Sequence, residues 1–175
     1  MLAYQVGESV MDLQLAWFDR AGKRLGRLGD KGAYYFAPRL SHDGKRLAVM
    51  MGDPSADVWI YEINRGVRTR LSFGGLVNSE PIWSPDDRHI AFMSARQNNR
   101  NILYEKLSNG AGSETVVQES NVLLSPTNWS PDGQFLLVDT GAEAGITQIG
   151  VVPLAGDQKG FNFMPSPRSP FRFRL

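Results

Sequence analysis

The chain contains no cysteine, which removes disulfides, thiolate metal sites and cysteine nucleophiles together. It also has almost no net charge: 19 Lys and Arg stand against 18 Asp and Glu, a formal +1. A nucleic-acid binder concentrates basic residues on one face, so this balance argues against nucleic acid as the main ligand. Long apolar runs are missing as well. Val58-Trp59-Ile60-Tyr61 and Phe135-Leu136-Leu137-Val138 are among the longest, far short of the ~20 residues of a membrane helix, so no membrane insertion of this chain is expected. The opening residues, Met1-Leu2-Ala3-Tyr4-Gln5-Val6-Gly7-Glu8, have neither the basic region nor the apolar stretch of a signal peptide. No window of helical length sustains an apolar period of 3.6 residues.

What is present is a soluble globular composition, 42% hydrophobic and 21% charged, with 18 Gly and 10 Pro to supply many turns. The chain also repeats itself. Leu40-Ser41-His42-Asp43-Gly44-Lys45-Arg46-Leu47-Ala48 lines up with Trp83-Ser84-Pro85-Asp86-Asp87-Arg88-His89-Ile90-Ala91 and again with Trp129-Ser130-Pro131-Asp132-Gly133-Gln134-Phe135-Leu136-Leu137, in steps of 43 and 46 residues. A second block follows each: Asp57-Val58-Trp59-Ile60-Tyr61, Asn101-Ile102-Leu103-Tyr104-Glu105 and Thr147-Gln148-Ile149-Gly150-Val151, in steps of 44 and 46. Leu2-Ala3-Tyr4 and Leu15-Ala16-Trp17-Phe18-Asp19 match the later parts of an earlier copy whose first strand is missing.

Each copy holds four short segments rich in β-branched and aromatic residues, separated by Gly, Pro, Asn and Asp, which read as strands. In the copy around Trp83 they are expected near 81–84, 89–94, 101–106 and 114–119. The Ser-Pro-Asp-Gly corner (Ser41, Asp43, Gly44; Ser84, Pro85, Asp86; Ser130, Pro131, Asp132, Gly133) predicts a tight turn between the first two strands. Proline presets φ, and the fourth residue takes the left-handed conformation. His42 replaces the proline in one copy and Asp87 the glycine in another; aspartate tolerates that conformation at some cost. A four-stranded unit of about 45 residues cannot bury both faces alone, so copies must stack. The expectation is an all-β fold of propeller blades, about 3.5 to 4 in number. The boundaries are 1–29 (partial blade), 30–76, 77–120 and 121–163, with an irregular basic, proline-rich tail at 164–175. Leu40, Trp83 and Trp129, ending the first strands, are expected to fill the space between blades.

These repeated motifs resemble the WD40-like propeller repeat of the TolB family, from Leu2 to about Phe163. Leu15-Ala16-Trp17-Phe18-Asp19-Arg20-Ala21-Gly22-Lys23 and Pro126-Thr127-Asn128-Trp129-Ser130-Pro131-Asp132-Gly133 are similar to a subgroup, the propellers behind the kinase domain and membrane anchor of bacterial eukaryote-like serine/threonine kinases. The kinase motifs themselves have no counterpart here. The resemblance implies a periplasmic or extracellular setting, and a module that binds a protein or envelope ligand as part of a larger protein.

Catalytic chemistry is not legible. There is no Gly-x-Ser-x-Gly elbow of the kind carried by hydrolase partners of related propellers, and no enzyme activity or cofactor is expected. His42 and His89 fall at successive corners, but a metal site normally draws three or four ligands, so they read as exposed turn residues. Asp53 and Asp57 lack the further oxygen ligands a calcium site requires. No metal site is assigned. What remains is a surface. Tyr34, Tyr35 and Phe36, then Asn78 and Glu80, then Arg96 and Arg100 lie in loops before or between strands, and aromatics and arginine favour protein contacts. Inter-blade packing and a solvated loop are the competing reading. A protein partner is expected, and self-association through the open faces of the end blades.

Overall fold

The computed structural model describes residues 2–6, 13–32, 37–52, 55–141, 147–155 and 161–162. Within them lie fifteen strands and no helix, hence none long and apolar enough to cross a membrane. The first sheet has three strands in the order β1 (Leu2–Val6), β2 (Leu13–Phe18), β3 (Arg24–Gly32). Three four-stranded sheets follow in chain order. They are β4 (Arg39–Leu40), β5 (Arg46–Met51), β6 (Asp57–Glu62) and β7 (Val67–Arg70); then β8 (Val77–Trp83), β9 (His89–Ala95), β10 (Asn101–Leu107) and β11 (Thr115–Ser120); then β12 (Leu124–Trp129), β13 (Phe135–Gly141), β14 (Thr147–Pro153) and β15 (Phe161–Asn162). Every strand pairs antiparallel with its sequence neighbour. The architecture is an open, incomplete propeller of stacked blades.

Strand alternation explains the stacking. Successive residues of β5 point to opposite faces. Leu47, Val49 and Met51 join Leu13, Leu15, Leu28 and Tyr61 in a core between the first and second blades. Ala48, between them, turns the other way and packs with Val58, Ile60, Leu71, Trp83, Ile90 and Phe92 between the second and third. A third core, Ile82, Ala91, Leu103, Leu124, Trp129, Leu136, Val138 and Val152, joins the third and fourth. Both faces of the middle sheets are therefore buried, and each blade depends on its neighbours.

The structure shifts three sequence expectations. The first strand of the third blade begins at Val77, well before Pro81, because a register shift between Ser79 and Ile82 accommodates Glu80, at φ 51°, and Pro81, which has no N–H to pair. The second repeat block is displaced by one residue: Val49, Phe92 and Val138 pair with Trp59, Tyr104 and Gly150, so Trp59 corresponds to Tyr104 and not to Leu103. One residue of slip reverses every side chain. Leu40, finally, is 39% exposed, whereas Trp83 and Trp129 are 5% and 8%. Trp83 packs against the preceding blade and donates its Nε1–H to Arg39 O on that blade's innermost strand, at 2.8 Å. The first sheet, as described, has no innermost strand, so Leu40 has nothing equivalent to meet.

The buried contacts between blades carry the stability, and the outer strands do not. Phe92, fully buried and stacked 5.7 Å from Tyr104, should cost about 3–5 kcal/mol when changed to alanine, read from urea unfolding. Val116→Ala, on an exposed outer strand, should stay within about 0.5 kcal/mol.

Candidate functional site

Strand registers define two ends of the blades. Val77, Ala95, Asn101 and Ser120 lie level at one end, and Trp83, Ile90 and Lys106 lie level toward the other. The Ser-Pro-Asp-Gly corners cluster at the second end, whereas the loops entering β8 and β12 and the 96–100 loop share the first.

The corners are built alike. In each, the serine hydroxyl donates to the aspartate two residues on, at 2.7 Å for Ser41–Asp43 and 2.6 Å for both Ser84–Asp86 and Ser130–Asp132. The same hydroxyl accepts the N–H that opens the next strand, from Arg46, His89 and Phe135. Asp43, Asp86 and Asp132 also accept backbone N–H groups from Lys45, Arg88 and Gln134. The serine hydroxyl first, and then that N–H, hold these carboxyls below their ordinary value. The fourth residue is left-handed in every copy, at φ 70°, 59° and 74° for Gly44, Asp87 and Gly133.

The two departures from the pattern are partners. His42, free of the proline ring, has an N–H that donates to Asp87 Oδ1 at 2.9 Å, and its Nδ1 lies 2.8 Å from the same oxygen, so the ring carries its proton there. Asp43 N–H donates to Asp87 Oδ2 at 2.9 Å. The Asp87 carbonyl accepts from Arg46 Nη2 and Ser108 Oγ, while the Arg46 guanidinium lies 4.7 Å over the Trp83 ring. Burial pushes the Asp87 carboxyl up, but the hydrogen bonds from His42 and Asp43 outweigh it and hold the carboxyl below its ordinary value. A carboxylate in place of glycine thus bridges two blades, and only a non-proline at the facing corner receives it. His89 lies apart, its Nδ1 3.8 Å from Glu105, so the two histidines serve different carboxylates.

At the loop end, Asn78 is buried, not presented. Its amide donates to Asp57 Oδ1 at 2.8 Å and Gly74 O at 2.7 Å, and Asp57 also accepts from Arg70 at 2.6 Å and Ser72 at 3.1 Å. Asp57 is thereby committed to protein partners; Asp53 lies outside the described residues, as do Tyr34, Tyr35 and Phe36. Among the described residues no group of three His, Asp or Glu could hold a metal ion. Arg96 lies 5.3 Å over the Tyr104 ring and 3.7 Å from Glu114, and Arg100 donates to Glu119. Glu80 is half-buried at the bulge of β8. Asn78 Oδ1, Ser94 Oγ and Arg96 Nε have no partner, although all three are buried beneath the left-handed Gly74 and Gly75.

Sequence reasoning passed over the large apolar residues that this end exposes. Phe73 and Leu76 are 53% and 55% exposed in the loop entering β8, and Val122 and Leu123 are 41% and 44% exposed in the loop entering β12. Phe73 is flanked by the Arg70 guanidinium at 4.9 Å and Lys106 Nζ at 5.1 Å. The available signal was apolar residues inside Gly, Ser and Asn loops, where turns favour polar ones.

The bridge at Asp87 generates a test. His42→Pro and Asp87→Gly should each destabilise by about 1–2 kcal/mol by orphaning the other's groups, and the double variant should cost less than their sum by about 1 kcal/mol in urea unfolding. The folded Asp87 carboxyl is held below its ordinary value, so its contribution is present above that ordinary value and disappears as pH falls through the lower, folded one. Asp87→Asn should flatten that part of the stability profile.

The comparisons with known proteins agree with this fold. The uncharacterized peptidase YuxL of Bacillus subtilis (strain 168) is 30% identical over 108 residues, covering 58% of this chain and 16% of that protein. Among solved structures, TolB from Acinetobacter baumannii superposes with a TM-score of 0.72 at 16% identity, covering 94% of this chain and 40% of that one. A Mycobacterium tuberculosis puromycin-hydrolyzing peptidase gives 0.65 at 13% identity, covering 94% and 29%. This chain therefore spans well under half the length of each. The TolB beta propeller domain itself matches over residues 14–161, most of the chain, and the protein belongs to that family.

Proposed function

We propose that this chain is a non-catalytic propeller module that binds a protein or envelope ligand through its loop end, as part of a larger TolB-like protein. The observation that carries the reading is the apolar exposure of Phe73, Leu76, Val122 and Leu123 from the corresponding entry loops of two adjacent blades. Rigid sheets hold these loops, and exposed apolar side chains gathered at one end of such a scaffold favour a partner over water. Arg96 and Arg100 border them and would supply polar contacts at the rim. The ligand lies outside the cytoplasmic membrane in this reading, in the periplasm or beyond the cell, by likeness to the family. The isolated chain would also self-associate through its end blades.

A second reading is that the module is the sensor or interaction propeller of a multidomain enzyme. The likeness to peptidases favours a peptidase of the prolyl oligopeptidase type, and the Leu15–Lys23 and Pro126–Gly133 motifs favour a receptor-like kinase. The coding sequence upstream of Met1 separates these: a kinase domain with a membrane helix in frame supports the enzyme, and a separate gene with a signal peptide supports the first reading.

The binding reading predicts a one-sided sensitivity. Leu76→Glu combined with Leu123→Glu should reduce capture of a specific envelope protein at least about tenfold, each substitution removing roughly 1–2 kcal/mol of apolar contact. Lys45→Glu at the corner end should leave it unchanged. Equal loss in both variants would defeat the assignment of the loop end.

A further inference from the structure

The loop that enters β8 runs over three buried polar atoms without a partner among the described residues: Asn78 Oδ1, Ser94 Oγ and Arg96 Nε. Asn78 is 1% exposed and Ser94 fully buried, and the two stand opposite each other in the register of β8 and β9, so their side chains share a face. Buried polar groups are ordinarily paired, with protein or with ordered water. Gly74 and Gly75 lie over the same place. An alanine Cβ at Gly75 would fall 2.8 Å from Ser94 Oγ, 3.2 Å from Ala95 O and 3.4 Å from Arg96 Cζ, and one at Gly74 would fall 3.0 Å from Arg96 Nη1. The two glycines therefore leave a cradle that is lined with polar atoms and that a single methyl group would fill.

The hydrogen-bonding roles of the three atoms select what fits there. Both protons of the Asn78 amide are committed, to Asp57 Oδ1 at 2.8 Å and to Gly74 O at 2.7 Å, so its oxygen is the atom left over, and that atom only accepts. Arg96 Nε only donates, and the Ser94 hydroxyl does either. A cation is repelled by the guanidinium. An anion has no proton to give Asn78 Oδ1 and meets the Ala95 carbonyl as well. What remains is a small neutral molecule that accepts from Arg96 and donates to Asn78. We propose that Asn78, Ser94 and Arg96 form a binding site for one water molecule beneath Gly74 and Gly75, which ties the loop carrying Phe73 and Leu76 to β8 and β9. A buried water typically makes about three hydrogen bonds, the number these atoms offer. The other fastenings of the loop converge on the same spot. Leu76 N–H donates to Ala95 O at 2.9 Å, and Glu114 accepts from Phe73 N–H at 3.1 Å while lying 3.7 Å from Arg96 Nη2. Whatever the loop end binds, Phe73 and Leu76 are thereby held in one arrangement before it arrives.

The test uses the full 175-residue chain, isotopically labelled, and measures cross-peaks between water and the Arg96 Nε–H and Asn78 amide protons in paired NOE and ROE spectra. Cross-peaks with the sign of a water that stays longer than molecular tumbling are expected at both, and their absence from the wild type would overturn the site. In Ser94→Ala they should persist, because Arg96 and Asn78 still hold the molecule. Loss in that variant would show that the signal came from the serine hydroxyl, and the site would fall. In Gly75→Ala they should disappear, since the added methyl takes the place of the water; persistence in the folded variant would count against the site. If Gly75→Ala does not fold, a crystal structure of the wild-type chain decides. One water within hydrogen-bond distance of Asn78 Oδ1, Ser94 Oγ and Arg96 Nε is expected, and a Ser94 hydroxyl donating directly to Asn78 Oδ1 would refute it.

Discussion

Everything in this molecule depends on a sheet that is apolar on both faces. Leu47 and Ala48 are adjacent in sequence, both fully buried, and in different cores. A strand in that situation cannot be satisfied by one neighbouring layer, so sheets must stack in series, and the stack has no natural end except closure or a covering partner. Among the described residues the first sheet has three strands, and Leu40 on the blade beside it is 39% exposed.

The corners show how a repeat absorbs irregularity. The Ser-x-Asp arrangement bonds to itself in all three copies, so replacement of proline or glycine does not undo the turn. The replacements then become useful together. A left-handed aspartate is strained by roughly 1–2 kcal/mol, yet its carboxylate accepts three hydrogen bonds from the preceding blade's corner. The site therefore fastens two blades at the end opposite the loops, through contacts a consensus corner lacks.

At the loop end the division of labour is reversed. Asp57, Ser72 and Asn78 form a buried polar junction between blades, edged by the half-buried Arg70, while the apolar Phe73 and Leu76 face outward. Asn78, chosen from its place in a loop, serves to hold the scaffold, and the side chains best placed for a partner were hidden among turn residues. An amide and a phenyl ring give no hint in one dimension of which will be covered. That depends on the neighbouring blade, 21 residues away for Asn78 and Asp57.

The sequence alone determined the repeat, the strand class, the turn at each corner and the stacking of blades, because these follow from local turn chemistry and from apolar spacing that recurs every 43 to 46 residues. Only the tertiary structure decided which face each strand presents. The block containing Trp59 and Tyr104 could be aligned in two registers one residue apart, and pairing with β5 and β9 selects between them. It decided too that His42 and Asp87 are partners, that Asn78 is interior and that Leu40 is uncovered. Each of these is a contact between blades, and energy between residues some 45 positions apart is set by how the sheets stack, which no local pattern encodes.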